Sequence, residues 1–294
     1  MNQNIAQLEN AQIIDVRLAD DYAAAHIPKA CNNCVFDVDF SKRLSEIAPD
    51  KSALTIIYGA GGESHEERMA FEKMERLGYE KLGIFEGGIA AYPQEKLTTG
   101  SAQPAVPLPL ADGTRLIDLN ESLIHWTGRN LTNKHQGELK LSSGLLSFKN
   151  GQVTGGDFTI DMASIKCHDL ADTPGHAILI KHLLDHDFFD FEKHRDAKFT
   201  ITHTNEIPEA KAGGENLKIC GDLTLRGQTH PVMFTAACGI DPDGRAVAQA
   251  TFSIDRTRWG VIYGSGKFFH RLAGHLVNDQ IDLQLKIITN PQKK

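Results

Sequence analysis

Hydrophobic residues change their period partway along this chain, and that change limits what it can fold into. Beyond about residue 113 the apolar positions alternate. Leu139 and Leu141, Leu146 and Phe148, then Phe158, Ile160 and Met162 each fall on every second residue. The pattern returns at Phe199 and Ile201, at Leu217, Ile219, Leu223 and Leu225, and at Ile281, Leu283 and Leu285. Period-two alternation gives a strand one apolar face. Lys149-Asn150-Gly151 supplies a hairpin turn between two such strands. Many antiparallel strands with one apolar face predict a barrel or sandwich. One helical insertion interrupts them, "PGHAILIKHLLDHDFF", with Ile178, Leu179, Leu183, Leu184 and Phe188 as its apolar residues.

Before this point the pattern is different. "AQIIDVR", "SALTIIYG" and "KLGIFEGG" are short apolar runs without alternation, as in strands covered on both faces. They are separated by helical segments, among them "EERMAFEKMERLGY" with Gly78 closing it. Strand and helix in turn predict an α/β three-layer domain. Between the two patterns runs "TTGSAQPAVPLPLADG", where Pro104, Pro107 and Pro109 oppose both helix and ladder pairing. The expected organisation is therefore an α/β domain at 1–97, a linker at 98–113 and an antiparallel β-barrel with one helical insertion at 114–294.

Composition narrows the function. The net charge is −7, and residues 1–100 carry 16 acids against 10 bases. Nucleic acid is an unsuitable partner, because phosphate binding needs clustered Lys and Arg. No run approaches the ~20 apolar residues that span a bilayer, so no integral membrane segment is expected. Five cysteines, an odd number, fit reduced thiols. With no signal peptide visible at "MNQNIAQLENAQIIDVR", a cytoplasmic location is expected.

"IIDVR", "DDYAAAHIPKACN", "IIYG" and "FEGGIAAY", in that order over residues 5–97, resemble the rhodanese homology domain. The resemblance implies a loop after the second apolar strand in which a cysteine carries sulfane sulfur, its charge held by backbone N–H groups. Here the loop is Gly59, Ala60, Gly61, Gly62, Glu63 and Ser64, and Gly59 stands at the matching position. Glycine has no nucleophile, and Glu63, Glu66 and Glu67 would repel an anion. An inactive domain is expected, serving as a docking or dimerisation platform. Cys31 and Cys34 form a C-x-x-C that reads as two buried or half-buried structural thiols; the alternative is a sulfurtransferase or redox protein that uses them. Asp15 and Arg17 are expected to organise the sheet end.

The remainder resembles the YceI-like, polyisoprenoid-binding family over residues 114–289, through "ESLIHWTGRN", "GGDFTIDMASIKCHDL", "HLLDHDFFDFEKHRDAKFTI", "GDLTLRGQTHPVMF" and "FSIDRTRWGVIYGSG". It implies a lipocalin-like barrel and a binding protein for an apolar, isoprenoid-like or quinone-like molecule, without a cofactor. The candidate lining residues are Trp126, Phe148, Phe158, Ile160, Phe199, Phe234, Phe252 and Trp259. From their phase alone they fill a core or line a cavity. His182 and His186, four apart, would share a helix face and with Asp187 suggest zinc. No third ligand follows from the spacing, and no metal is expected. "DRTRWG" places Asp255, Arg256 and Arg258 near a strand end, as a salt-bridged rim or a head-group anchor.

Overall fold

The computed structural model describes residues 3–62, 64–100, 110–130, 132–272 and 275–291. Glu63 and the linker prolines, Pro104, Pro107 and Pro109, lie outside the described residues. The chain divides into two compact units, Met1–Val106 and Pro107–Lys294.

In the first unit, parallel pairing joins four strands in the order β3 (Cys31–Asn32), β1 (Gln12–Asp15), β4 (Leu54–Tyr58) and β5 (Lys81–Ile84). A short antiparallel pair, β2 (Ala25–His26) with β6 (Thr98–Thr99), ties down one end of the stretch read as linker. Alternate residues of β1 and β4 feed two cores. Ile14, Val16 and Ile57 meet Phe40 and Leu44 of α3 (Phe40–Ile47) and Met74 of α4 (Glu66–Arg76). On the other face Ile13, Ile56 and Tyr58 meet Leu8 of α1 (Gln3–Leu8) and Tyr22 of α2 (Ala19–Ala24). This is the three-layer arrangement expected.

The end of β1 is fixed by a buried ion pair. Asp15 is fully buried and accepts Arg17 Nη2 at 2.6 Å, and Arg17 Nε and its backbone N–H at 3.0 Å each. The guanidinium also donates to the Ala25 carbonyl at 2.7 Å, tying β1 to β2. Burial next to Asp15 pushes the Tyr58 hydroxyl well above the usual phenol range.

The second unit is a closed antiparallel barrel. Around it run β10 (Gln152–Cys167), β11 (Asp196–Glu206), β12 (Leu217–Leu225), β13 (Gln228–Ile240), β14 (Ala246–Asp255), β15 (Gln280–Ile288), β8 (Leu123–Arg129) and β9 (Lys134–Lys149). The β9–β10 pairing closes the circle, and β7 (Gly113–Leu116) adds to β9 beyond the end of β8. At the turn, Asn150 and Gly151 both have positive φ (53° and 77°), as a type I′ hairpin requires.

Leu139 and Leu141 belong to the same strand as Leu146 and Phe148, although the parity of the apolar positions switches between them. The ladder explains this. Leu141 pairs with Ile160 and Ser143 with Thr159, so Ser142 is an extra residue. Such a bulge turns the following residues over, and both halves of β9 present their apolar side chains to the core.

The insertion is shorter than its sequence pattern predicts. The helix α5 spans Pro174–Leu184; Leu183 is buried, whereas Ile178 is 70% exposed.

Both tryptophans lie in the second unit, so their fluorescence reports the barrel alone. Asp15→Asn should leave the Arg17 charge buried without its partner and cost the first unit about 3–5 kcal/mol. Urea unfolding followed by far-UV ellipticity should show an early transition, with the tryptophan midpoint unmoved. An unchanged ellipticity profile would show that the pair contributes nothing.

Candidate functional site

The barrel interior holds three cavities that share walls. The central one, of about 120 Å³, is lined by Phe158, Ile160, Phe199, Phe234, Phe252 and further apolar residues. A second, of about 130 Å³, shares Ile124, Ile160, Leu223 and Leu283 with it and reaches Trp126, Leu183 and Arg256. The third, of about 180 Å³, shares Leu146, Val153, Leu217, Cys238 and Ala248 with the central one. It reaches Phe148 and the polar side chains of Gln152, Glu206 and Asn216. Apolar cavities of this order stay dry and take apolar guests.

An aromatic row forms one wall. The Phe234 and Phe252 rings stack with centroids 4.1 Å apart and planes within 3°. Phe199 lies 5.7 Å from Phe234, and Phe158 lies 6.4 Å from Phe199. The strand between Phe199 and Phe234 contributes Gly221, where a Cβ would come within 2.4 Å of the Phe199 ring. Glycine there lets the ring lie against the sheet.

Along two of these strands the bulk gives way to small residues. On β13 the residues in phase with Phe234 include Ala236 and Cys238 beside Val232 and Ile240, and on β14 those in phase with Phe252 are Ala246, Ala248, Ala250 and Ile254. Cys238 and Ala248 are paired across the ladder at the junction of two cavities. Sequence reasoning missed these residues because small side chains carry little hydrophobic signal. Their common phase with the phenylalanines was the available clue.

Of the sequence candidates, Phe158, Phe199, Phe234 and Phe252 line the central cavity, and Ile160 lines the central and second cavities. Trp126 lines the second cavity with its Nε1 donating to the Lys166 carbonyl at 3.2 Å, and Phe148 lines the third. Trp259 stands apart. It is fully buried, donates Nε1 to the Leu223 carbonyl at 2.9 Å and lines none of these three cavities.

Arg256 is not on a strand or at an exposed rim. It opens a 3-10 turn, Arg256–Trp259, and is 1% exposed. Its guanidinium donates to the carbonyls of Val261, Asn278 and Val277 at 2.7, 3.0 and 3.1 Å. Burial lowers its pKa, which Asp279 and Asp255 partly offset. A fixed cation thus borders one end of the row, and Gln152, Glu206 and Asn216 border the other.

The histidine pair fails for a geometric reason. The helix ends at Leu184, so His186 lies beyond it and the four-residue spacing does not put both imidazoles on one face. His182 packs its ring 4.4 Å from Tyr263, while His186 Nδ1 pairs with Asp185 at 2.6 Å.

In the first unit, the glycine loop is pressed against Gly87 and Gly88. A Cβ on Gly61 would lie 2.0 Å from the Gly87 carbonyl oxygen, and one on Gly88 2.4 Å from that of Gly59. Around Gly59 the space belongs to acids: a Cβ there would meet Glu67 Oε2 at 2.5 Å and Glu66 Cγ at 2.6 Å. The Ala60 N–H donates to Glu66 Oε1 at 2.5 Å. Cys34 is buried as expected, but Cys31 is exposed, because β3 sits at the sheet edge.

The second unit is thus a closed antiparallel barrel of eight strands with a row of internal cavities, and the first an α/β domain. The YceI-like domain model matches residues 116–289, and the chain belongs to that family. A rhodanese-like domain occupies residues 2–95. A "UPF0312 protein" of Photorhabdus laumondii is 44% identical over 72 residues, 24% of this chain and 34% of that protein. Another from Pseudomonas fluorescens is 38% identical over 96 residues, 31% and 48% of the two chains. The chain thus spans about a third to a half of the length of these curated relatives. Among solved structures, Burkholderia cenocepacia BcnA is 20% identical with a TM-score of 0.47, covering 59% of this chain and 99% of its own. A polyisoprenoid binding domain from Saccharophagus degradans is 11% identical with a TM-score of 0.43, covering 62% and 100%. No helix among the described residues is long and apolar enough to cross a membrane.

Burial pushes the Cys238 thiol up to about 11. At about pH 8 roughly one Cys238 in a thousand is then thiolate, the reactive form. Maleimide labelling with peptide mapping should modify Cys31 quickly and leave Cys238 unlabelled until the barrel unfolds. Equal labelling of both would mean that the cavity junction is wet.

Proposed function

We propose that the barrel is a carrier for one apolar chain, isoprenoid-like or quinone-like. The observation that carries this reading is the row of three cavities with shared walls. Trp126, Phe148, Phe158, Ile160, Phe199, Phe234 and Phe252 are its contacts in this reading, with Trp259 supporting the wall from behind. The polar end of the ligand sits either by Arg256 or by Gln152 and Glu206, since the stretch between them is apolar. The name of the Saccharophagus degradans domain speaks of polyisoprenoid, and that chemistry suits the cavity row proposed here. The five cysteines, all free, support a reducing compartment, the cytoplasm.

Residues 1–97 serve, in this reading, as an inactive docking module, with 98–113 as the linker and 114–294 as the carrier. Gly59 takes the place of the sulfur-carrying cysteine, and the Glu66 carboxylate accepts from the loop amide an anionic substrate would use. Two or more copies docking through this module is the form of assembly it suggests.

Binding of geranylgeraniol, followed by native mass spectrometry and organic extraction, tests the carrier. One molecule per chain is expected. Ala248→Phe should block the junction and weaken binding at least tenfold, at an overpacking cost of about 1–3 kcal/mol. Binding by Ala248→Phe equal to the parent, with the melting transition retained, would place the ligand elsewhere; no binding to the parent would mean a barrel that is only packed.

For the first unit, neither the parent nor Gly59→Cys should transfer sulfur from thiosulfate to cyanide, because the new side chain meets the Glu66 and Glu67 carboxylates. Turnover by the parent that disappears in Cys31→Ser/Cys34→Ser would overturn the docking reading.

A further inference from the structure

A cluster of unlike donors lies outside the cavity row, where β9 begins and β10 ends. His135 is the second residue of β9, Cys167 is the last of β10, and Asp169 follows in the turn that leads to α5. Pairing of Cys167 with Gly137 brings these segments together. The Asp169 carboxylate lies between the other two groups. Its Oδ2 is 2.8 Å from His135 Nδ1, and its Oδ1 accepts the Cys167 thiol at 3.3 Å and the Gln136 N–H at 2.8 Å. One donor atom from each of His135, Cys167 and Asp169 lies within 4.8 Å of the others.

We propose that these three residues form a zinc site. The choice of metal follows from the donors. Thiolate and imidazole exclude magnesium and calcium, and thiolate with imidazole and carboxylate suits zinc in tetrahedral geometry. Bond lengths of 2.0–2.3 Å to a common tetrahedral metal put its ligand atoms about 3.3–3.7 Å apart. For sulfur and oxygen the spacing is about 3.5–3.7 Å, so the Asp169 Oδ1–Cys167 Sγ contact, at 3.3 Å, has to open slightly. The imidazole contact, at 2.8 Å, is made by the other carboxylate oxygen, Oδ2, and has to open by about half an ångström when that oxygen is the ligand. Both contacts are now hydrogen bonds bridged by a proton, and a cation takes the place of those protons. On binding, the Cys167 S–H proton passes to the buffer, the proton shared by His135 Nδ1 and Asp169 leaves Nδ1 through solvent (to Nε2 where the imidazole is neutral), sulfur and Nδ1 each donate a pair to the metal, and no group is oxidised or reduced.

The surroundings fit this assignment. Cys167 is buried among Trp126, Ile165 and Leu183, which leaves the sulfur little freedom to move. His135 and Asp169 keep about a third of their side-chain surface exposed, giving the metal a path in. His168, the nearest other imidazole in sequence, pairs with Glu138 at 3.3 Å and belongs to a neighbouring ion pair. The fourth position therefore falls to solvent. The metal would clip the start of β9 to the turn at 168–173, from which α5 runs to Leu183 on the second cavity.

Cobalt(II) is the probe, because thiolate ligation gives it a near-ultraviolet charge-transfer band that carboxylate and imidazole sites lack. Titrating the reduced full chain should give one cobalt per chain with that band, displaced by zinc. Cys167→Ser should abolish the band. Asp169→Asn and His135→Gln, on the exposed side, should each weaken binding at least tenfold and remove most of the zinc-induced rise in melting temperature. The absence of the band in the parent, its survival in Cys167→Ser, or full affinity in both exposed-side variants would overturn the site. Loss of the band only in Cys31→Ser or His186→Gln would overturn it as well.

Discussion

The second unit depends on one pairing, that of β9 with β10, which turns an open sheet into a barrel. An open sheet has two edges of unpaired N–H and C=O groups and a concave face exposed to water. Closure removes the edges and encloses the interior at the same time. The strand that makes the closure carries an unusual load. Over 16 residues β9 pairs with β10 on one side and with β8 and then β7 on the other. A strand of that length cannot follow a closed surface without bending, and the extra residue at Ser142 supplies the bend. Because the bulge also reverses which side chains face inward, the apolar pattern has to change parity there, and it does.

Enclosure alone does not make room. An interior of eight strands is normally filled by side chains. Here phenylalanines from β10, β11, β13 and β14 are aligned along one wall, and the space beside them is framed by alanines and a cysteine. Empty volume in a packed core costs about 24 cal/mol per Å³. At about 120 Å³ the central cavity alone then corresponds to about 3 kcal/mol of packing left unmade. A sequence that places small residues in phase at Ala236, Ala248 and Ala250 spends stability on shape, and an apolar guest would return it by completing the contacts.

How much of this was legible depends on what each residue tells by itself. The alternation of Leu, Ile and Phe announces strands and an inward face, and Asn150-Gly151 announces its turn, because these signals are local. The fold class followed from them. The cavity did not, since Phe234 looks the same in sequence whether the residues that share its face are Leu or Ala. Only the joint phase of Ala236, Ala248 and Ala250 carries that information, and it has to be read across two strands at once. Arg256 misled for a related reason. A charge near a strand end ordinarily reaches water, whereas here Val261, Val277 and Asn278 turn their carbonyls inward to receive it. His186 misled because Asp185, already extended, ends α5 one residue earlier.

The glycine loop of the first unit separates two things that a motif ordinarily reports together. Gly61 and Gly88 are required by backbone approach: any side chain at either would strike a peptide oxygen within 2.4 Å. Their presence therefore certifies the shape of the loop and nothing about its chemistry. Chemistry would need a reactive group at the position after β4 and space for an anion beside the amides. Gly59 supplies no such group, and carboxylates fill the space, with Glu66 hydrogen-bonded to the Ala60 amide. The carboxylate of Glu66 thus satisfies a loop amide from within the chain, and that backbone N–H is paired without any ligand.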